Sequence, residues 1–438
     1  MKSNKTSFFT LFLVAIFPLL SYAQVLRGSY GVHASDLTRV PLSTVDVVAR
    51  QLDSANIRWV RMVFAWNEIQ PSDSLQWLWG DIAQRLDILS LHNINVLGIL
   101  YKVPAWASSA PVGTDSQSVP FYAPKDTLRW MRYIDSTVRR FKGFVHYWEI
   151  WNELDGPFLQ TPVPLSKHIR YVEILRTGYR AIKQADSSAT VLIGGLTSEI
   201  GVTPAKRLFA DSIFALGAAN YFDVMNLHLY RYEDMSPSLG KLYSLMVQYN
   251  KPSPVWVTET NNWRSLLPNN TRERAADSLS PWLNQIISLL RNPATSKIFW
   301  FNLIDFRGGR SADSTAWGLF DSNYTTTVVY SALKNYIAGT TGITEQDISL
   351  PTRAELLQNY PNPFNPTTTI GFALPQGQHV TLKVFDLLGR EVATLVDGEL
   401  STGEHSVVFD AKDLPSGIYL YRLNIGGHIQ TRSMMVLR

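Results

Sequence analysis

The 438-residue chain contains no cysteine, which excludes disulfides, thiolate metal sites and cysteine nucleophiles together. It also lacks clustered charge of one sign. Its 40 basic residues face 36 acidic ones, and two of the 40, Lys2 and Lys5, precede residue 23. With no basic run longer than Arg139-Arg140, nothing marks nucleic acid as a partner. The eight histidines form no His-x-His or His-x-x-x-His pair, so no metal is expected. No glycine-rich phosphate loop follows the first strand-like run, which argues against an open nucleotide-binding sheet and leaves no cofactor implied.

Long apolar runs are absent beyond the N-terminus. There, Lys2 and Lys5 precede an apolar stretch from Phe8 to Leu20 and then Ser21-Tyr22-Ala23. The stretch is short for a membrane span, and the pattern predicts a secretory signal peptide over residues 1–23, removed before Gln24.

From Gln24 onward, short apolar runs alternate with helical spacing. The expected strands are Tyr30–His33, Ile57–Phe64, Asn95–Leu100, Val145–Trp151, Thr190–Gly194, Phe222–Leu229, Val255–Glu259 and Lys297–Ile304. Each is followed by apolar residues at helical intervals, such as Val45, Val48, Ala49 and Leu52 in the first case, where Ser43 is placed to cap the helix. Eight such units predict a (β/α)8 TIM barrel over 24–340, with chemistry at the C-terminal ends of its strands. Residues 341–356 read as a linker. From 357 to 438 the texture becomes that of half-exposed strands between turns (Val380, Leu382 and Val384; Tyr419, Tyr421 and Leu423), which predicts a small β-sandwich.

The fourth strand run, Tyr147-Trp148-Glu149-Ile150-Trp151-Asn152-Glu153, ends in a carboxylate, and so does the seventh, Val255-Trp256-Val257-Thr258-Glu259. A charge at the end of a buried strand is costly unless it works. Two carboxylates facing one barrel mouth suit glycoside hydrolysis. A gap of about 5 Å would imply retention of configuration and about 6.5–9.5 Å inversion, a choice that chain spacing does not make. Arg61, inside the second strand, is placed to hold a carboxylate ionised. His228 and Tyr230 share one side of the sixth strand's end. Among 13 tryptophans, most must be core. Trp300 in the last strand and Trp66, Trp106, Trp263 and Trp317 in following loops are the candidates for stacking on sugar rings.

These residues resemble the clan A glycoside hydrolases, retaining (β/α)8-barrel enzymes. The likeness rests on Trp151-Asn152-Glu153, Thr258-Glu259 and the segment from Val60 through Trp66-Asn67-Glu68 to Trp77 and Trp79, and it is nearest to families thirty-nine and five. It implies Glu153 as acid/base, Glu259 as nucleophile, Asn152 on the sugar 2-hydroxyl, Tyr230 steadying the nucleophile, Arg61 beside it and Trp300 as sugar platform. The residues around Trp300 (Phe299-Trp300-Phe301-Asn302) depart from any one family. Candidate substrate-binding residues are thus Asn152, Arg61, His228, Tyr230, Trp300, Trp66, Trp106 and His33. A raised pKa is expected to keep Glu153 protonated. A transglycosylase and a non-catalytic carbohydrate-binding surface protein are the alternatives to a hydrolase of β-linked oligo- or polysaccharides.

The tail resembles a type IX secretion sorting domain, through Asn359-Tyr360-Pro361-Asn362-Pro363-Phe364-Asn365-Pro366, Val384-Phe385-Asp386-Leu387-Leu388-Gly389-Arg390 and Leu414-Pro415-Ser416-Gly417-Ile418-Tyr419. The resemblance implies the type IX secretion machinery as a partner, a secreted or cell-surface location, and a tail open to cleavage.

Overall fold

The computed structural model describes residues 28–262, 271–290, 295–304, 317–341, 354–356, 358–359, 362–400 and 403–437; the expected signal peptide lies outside them. The chain forms two compact units that divide between Gly342 and Ile343.

In the first unit, eight parallel strands form one sheet: β1 (Tyr30–His33), β2 (Trp59–Ala65), β3 (Asn95–Tyr101), β4 (Tyr147–Asn152), β5 (Thr190–Gly195), β6 (Met225–Leu229), β7 (Val255–Thr260) and β8 (Ile298–Trp300). The order runs β5-β4-β3-β2-β1-β8-β7-β6, and parallel bridges Leu192–Val224 and Leu196–Leu227 join its two ends. The ring is therefore the expected barrel, wrapped by α1 (Leu42–Ser54), α2 (Ile82–Leu91), α3 (Thr127–Phe141), α4 (Lys167–Ala185), α5 (Pro204–Ala215), α6 (Tyr232–Gln248), α7 (Arg272–Leu289) and α8 (Val328–Thr341).

Helix α3 illustrates how sequence makes these elements. Asp126 caps it by accepting the Leu128 N–H, and Arg139 and Arg140 complement the dipole in its last turn. Trp130, Tyr133, Ile134, Thr137, Val138 and Phe141 are buried, at the three- and four-residue intervals of a single helical face. The cap expected at Ser43 is not made. Helix α1 starts two residues earlier than that cap implies, at Leu42, with Pro41 in the cap position and no side-chain cap.

Inside the barrel, inward positions stack in layers. Trp59, Leu97, Leu192, Val224, Trp256 and Phe299 make an apolar plug. Two residues further along their strands, the inward positions turn polar: Arg61 follows Trp59, Glu149 follows Tyr147, Asn226 follows Val224 and Thr258 follows Trp256. All four are buried, and the Thr258 hydroxyl donates to Asn226 Oδ1 at 2.7 Å. The mouth thus rests on a polar layer, and that layer on a dry plug.

The second unit contains two antiparallel sheets. One has the order β13-β10-β9 and the other β12-β11-β14-β15, where β9 is Glu355–Leu356, β10 Thr367–Leu374, β11 Gln378–Phe385, β12 Glu391–Leu400, β13 Gly403–Asp410, β14 Gly417–Ile425 and β15 His428–Val436. Residues such as Ile370, Phe372, Leu382, Val384, Tyr421 and Leu423 share one core. Strand β9 pairs with β10, so the last two residues of the expected linker already belong to a sheet.

The plug has no slack at Gly31. A Cβ added there would come within 2.5 Å of the Phe299 ring and 2.8 Å of Trp59 Cβ. A Gly31→Ala substitution is expected to destabilise the protein by about 1–3 kcal/mol through overpacking, read as a lowered midpoint in denaturant unfolding.

Candidate active site

Two local departures from strand alternation build the site. On β4, regular alternation would point Trp151 inward and Asn152 outward. Trp151 instead adopts a left-handed φ of 77° and Glu153 one of 40°. Trp151 turns out of the barrel, where its ring meets Trp130 and its indole donates to the Phe158 carbonyl at 2.7 Å. Asn152 turns in, and Oδ1 accepts from Arg61 at 2.7 Å. On β7, the register slips by one residue: Leu227 pairs with Val257, but His228 pairs with Glu259. Thr258 is the extra residue, and the bulge brings Glu259 inward beside it.

The result is a compact charged cluster. Arg61 is fully buried. It donates to both oxygens of Glu149 (2.7 and 2.8 Å), to Glu259 Oε1 (2.5 Å), to Asn152 Oδ1 (2.7 Å) and to His33 Nδ1 (2.8 Å). Tyr230 donates its hydroxyl to Glu259 Oε2 at 2.5 Å. His228 Nδ1 stands 3.0 Å from Glu153 Oε1 and 3.4 Å from Glu259 Oε2. Glu153, His228 and Glu259 each offer an atom within 4.8 Å of the others.

The electrostatics follow from these contacts. Burial acts to raise the Glu259 carboxyl, but the charges of His228 and Arg61 outweigh it and hold the group below its ordinary value. Burial likewise acts to raise Glu153, yet the hydrogen bond and charge of His228, with Lys206 and Arg61 beyond, bring it below its ordinary value. This corrects the expectation of a raised Glu153 pKa: the neighbouring His228 favours the charged carboxylate. His228 itself is raised: burial opposes its charge, but Glu259 and the bond to Glu153 favour it more. His33 is pushed down to about 3 by burial and by Arg61. Because Arg61 donates to Nδ1, His33 is neutral with its proton on Nε2, 2.7 Å from the Ser35 hydroxyl.

Among the described residues, Glu153, His228 and Glu259 are also compact enough to hold a cation. The donors around them fit that use poorly, since the Arg61 guanidinium and the Tyr230 hydroxyl already occupy both Glu259 oxygens.

Of the residues singled out in the sequence, Arg61, Asn152, Glu153, His228, Tyr230, Glu259 and His33 come together. The tryptophans do not. Trp66 is wholly buried; its ring stacks on Tyr133 at 5.1 Å and its indole donates to Gln70, so it is core and not a sugar platform. Trp300 is 1% exposed and donates its indole N–H to the Trp317 carbonyl at 2.8 Å, which corrects its reading as an open platform. Trp106 lines a separate recess with Gln70, Asp73, Arg129 and Arg132, its ring covered by the Arg129 guanidinium 5.2 Å away. Trp317 is buried, and Trp263 lies outside the described residues. The residue missed is Glu149, fully buried and the bidentate partner of Arg61. Its signal was available: a charge in the middle of an apolar strand, two residues from an inward position.

Residues 209–332 match the family model of the glycosyl hydrolase catalytic core, and residues 358–437 match that of the secretion system C-terminal sorting domain. The barrel thus carries a glycoside hydrolase core, and the C-terminal domain marks the protein as secreted or held at the cell surface. Among the described residues no helix is long and apolar enough to cross a membrane. Similar solved structures include a family 39 glycoside hydrolase from the gut symbiont Bacteroides cellulosilyticus WH2, 16% identical over 87% of this chain and 81% of that one, with a TM-score of 0.54. The endo-β-1,4-mannanase from Thermotoga petrophila is 12% identical over 94% of this chain and 98% of that one, TM-score 0.51. A GH39 β-xylosidase from Caulobacter crescentus is 13% identical over 87% and 96%, TM-score 0.54. At these identities the likeness speaks for the fold alone. No curated protein sequence matches the chain significantly.

The buried neutral His33 has a consequence for stability. Between its folded value of about 3 and its ordinary 6.5, the unfolded chain binds a proton that the folded chain does not. This contribution is fully present above pH 6.5 and is lost as the pH falls toward 3. Urea midpoints measured across that window are expected to fall with pH, and a His33→Gln variant is expected to fall less steeply.

Proposed function

We propose that the protein is a secreted retaining glycosidase that cleaves β-linked oligo- or polysaccharides by double displacement. The observation that carries this reading is the proximity of oxygens from Glu153 and Glu259, within 4.8 Å. An approach this close favours the separation of about 5 Å between carboxyls that retaining enzymes use over the 6.5–9.5 Å of inverting ones.

The two carboxylates have different surroundings, and these support different roles. Glu259, with Arg61 and Tyr230 on its oxygens, is the ionised nucleophile that attacks the anomeric carbon. Glu153 shares the proton of His228 Nδ1, and the pair delivers it to the departing glycosidic oxygen. The glycosyl ester on Glu259 is then opened by water, whose proton Glu153 takes, restoring the resting state. Arg61 holds Asn152 Oδ1 and leaves the amide N–H groups for the sugar 2-hydroxyl. The β-linked substrate class agrees with the names of the mannanase and the β-xylosidase whose folds the barrel resembles. The sorting domain would hand the chain to the type IX secretion machinery.

The decisive experiment is Glu259→Ala with an activated aryl β-glycoside. Activity is expected to fall by on the order of 10⁴-fold or more, and azide is expected to restore turnover with an α-glycosyl azide as product. Full activity without azide would sink the assignment, and lengthened products from wild type would indicate transfer in place of hydrolysis. A Tyr230→Phe variant removes a donor that stabilises ionised Glu259, so the nucleophile's pKa rises. The acidic limb of kcat/KM against pH is expected to move to higher pH.

A further inference from the structure

Glu153 stands on a turn that needs external support. Trp151 and Glu153 are non-glycine residues with φ of 77° and 40°, a conformation that persists only where the surroundings over-determine it. The upstream side is anchored by Trp151, through Trp130 and the Phe158 carbonyl. The downstream side is anchored by Asp155, a residue the mechanism above does not use.

The Asp155 carboxylate has no exposed surface. It accepts the Thr197 backbone N–H at 3.0 Å and the Thr197 hydroxyl at 2.6 Å. Lys206 on α5 donates to that hydroxyl oxygen at 2.6 Å, pairs with Glu199 and stands 4.0 Å from Asp155. Lys167, the first residue of α4, donates to the Gly156 carbonyl at 2.5 Å, while the Gly156 N–H donates to the Glu153 carbonyl at 2.8 Å. Glu153 is thereby bracketed on the chain between two fixed points. The second point is a buried charge, an expensive choice for merely tying down a loop. Thr197 lies just beyond β5, so the clamp locks the turn after β4 to the strand next to it.

We propose that Asp155, braced by Thr197 and Lys206, is a positioning residue for proton transfer: it sets the direction in which Glu153 meets the glycosidic oxygen. The inference rests on Glu153 being the acid, and leaving-group chemistry isolates that step. A 2,4-dinitrophenolate departs without protonation, whereas a phenolate needs the acid. The second-order constant kcat/KM reports bond cleavage alone, before Glu153 acts as base.

The test compares kcat/KM for phenyl and 2,4-dinitrophenyl β-glycosides in wild type, Asp155→Asn and Thr197→Val. The second variant keeps the backbone bond and loses only the hydroxyl, so it serves if the first does not fold. We expect a loss of about 10- to 10²-fold on the phenyl glycoside and less than about threefold on the dinitrophenyl one. Equal losses on both substrates, or no loss on either, would overturn the positioning role while leaving the glycosidase reading intact. A wild-type chain that cleaves neither glycoside would overturn both.

Discussion

The mouth of the barrel is organised by one guanidinium. Arg61 has five N–H donors, and all five are used: one on each oxygen of Glu149 and one each on Glu259, Asn152 and His33. Each bond settles something about its acceptor. His33 must present a bare Nδ1 and is therefore neutral; Asn152 must present its oxygen, which fixes the amide's orientation; Glu259 is held ionised. An unpaired buried cation would be a liability, and a fixed carboxylate with hydrogen bonds to every donor makes it tolerable. Glu149 neutralises the charge from below, which frees the rest of the guanidinium to arrange the mouth. A lysine could not substitute, because a single ammonium cannot meet these acceptors in one plane.

Much of this architecture was legible in the sequence, because strand positions depend on apolar periodicity and periodicity is local. The eight expected strands coincide with the observed ones to within three residues at their starts, and the ends of the fourth and seventh fell where the carboxylates sit. Less legible was how consecutive side chains could both face the centre. Asn152 and Glu153, or Thr258 and Glu259, are neighbours that regular alternation would send to opposite faces. The structure breaks alternation at each pair by a different device, left-handed residues on β4 and a bulge on β7. Neither device has a composition cue here. No glycine marks the left-handed positions, and no residue type announces the bulge at Thr258.

The aromatic residues misled for a related reason. Trp66 follows β2 directly, where a loop over the mouth was expected, but the chain makes a single helical turn from Trp66 to Ile69 that folds the ring back onto Tyr133 and Trp130. Trp300 lies in β8 as expected, where the strand stops four residues short of the expected Ile304, yet it donates its indole hydrogen to the backbone at Trp317. Both support the mouth from behind. Position along the chain located these rings, but their direction depended on tertiary partners that no local pattern announces, such as Tyr133 on α3.

The assignment of acid and nucleophile then reduces to where a single proton can reside. Glu259 has a donor on each oxygen, Arg61 on one and Tyr230 on the other, and these bonds favour its ionised form over the protonated one. His228 stands against Gly195, where a Cβ would lie 2.1 Å from its Nε2, and that nitrogen has no hydrogen-bond partner among the described residues. Exchange with the site is therefore confined to Nδ1, which faces Glu153 at 3.0 Å and Glu259 at 3.4 Å. With Glu259 held ionised, the proposed mechanism has the proton move between His228 and Glu153. On this reading a depressed Glu153 pKa in the resting site is no obstacle to acid catalysis. In the proposed mechanism the proton is held next to Glu153, on His228 Nδ1, until a glycosidic oxygen arrives to accept it.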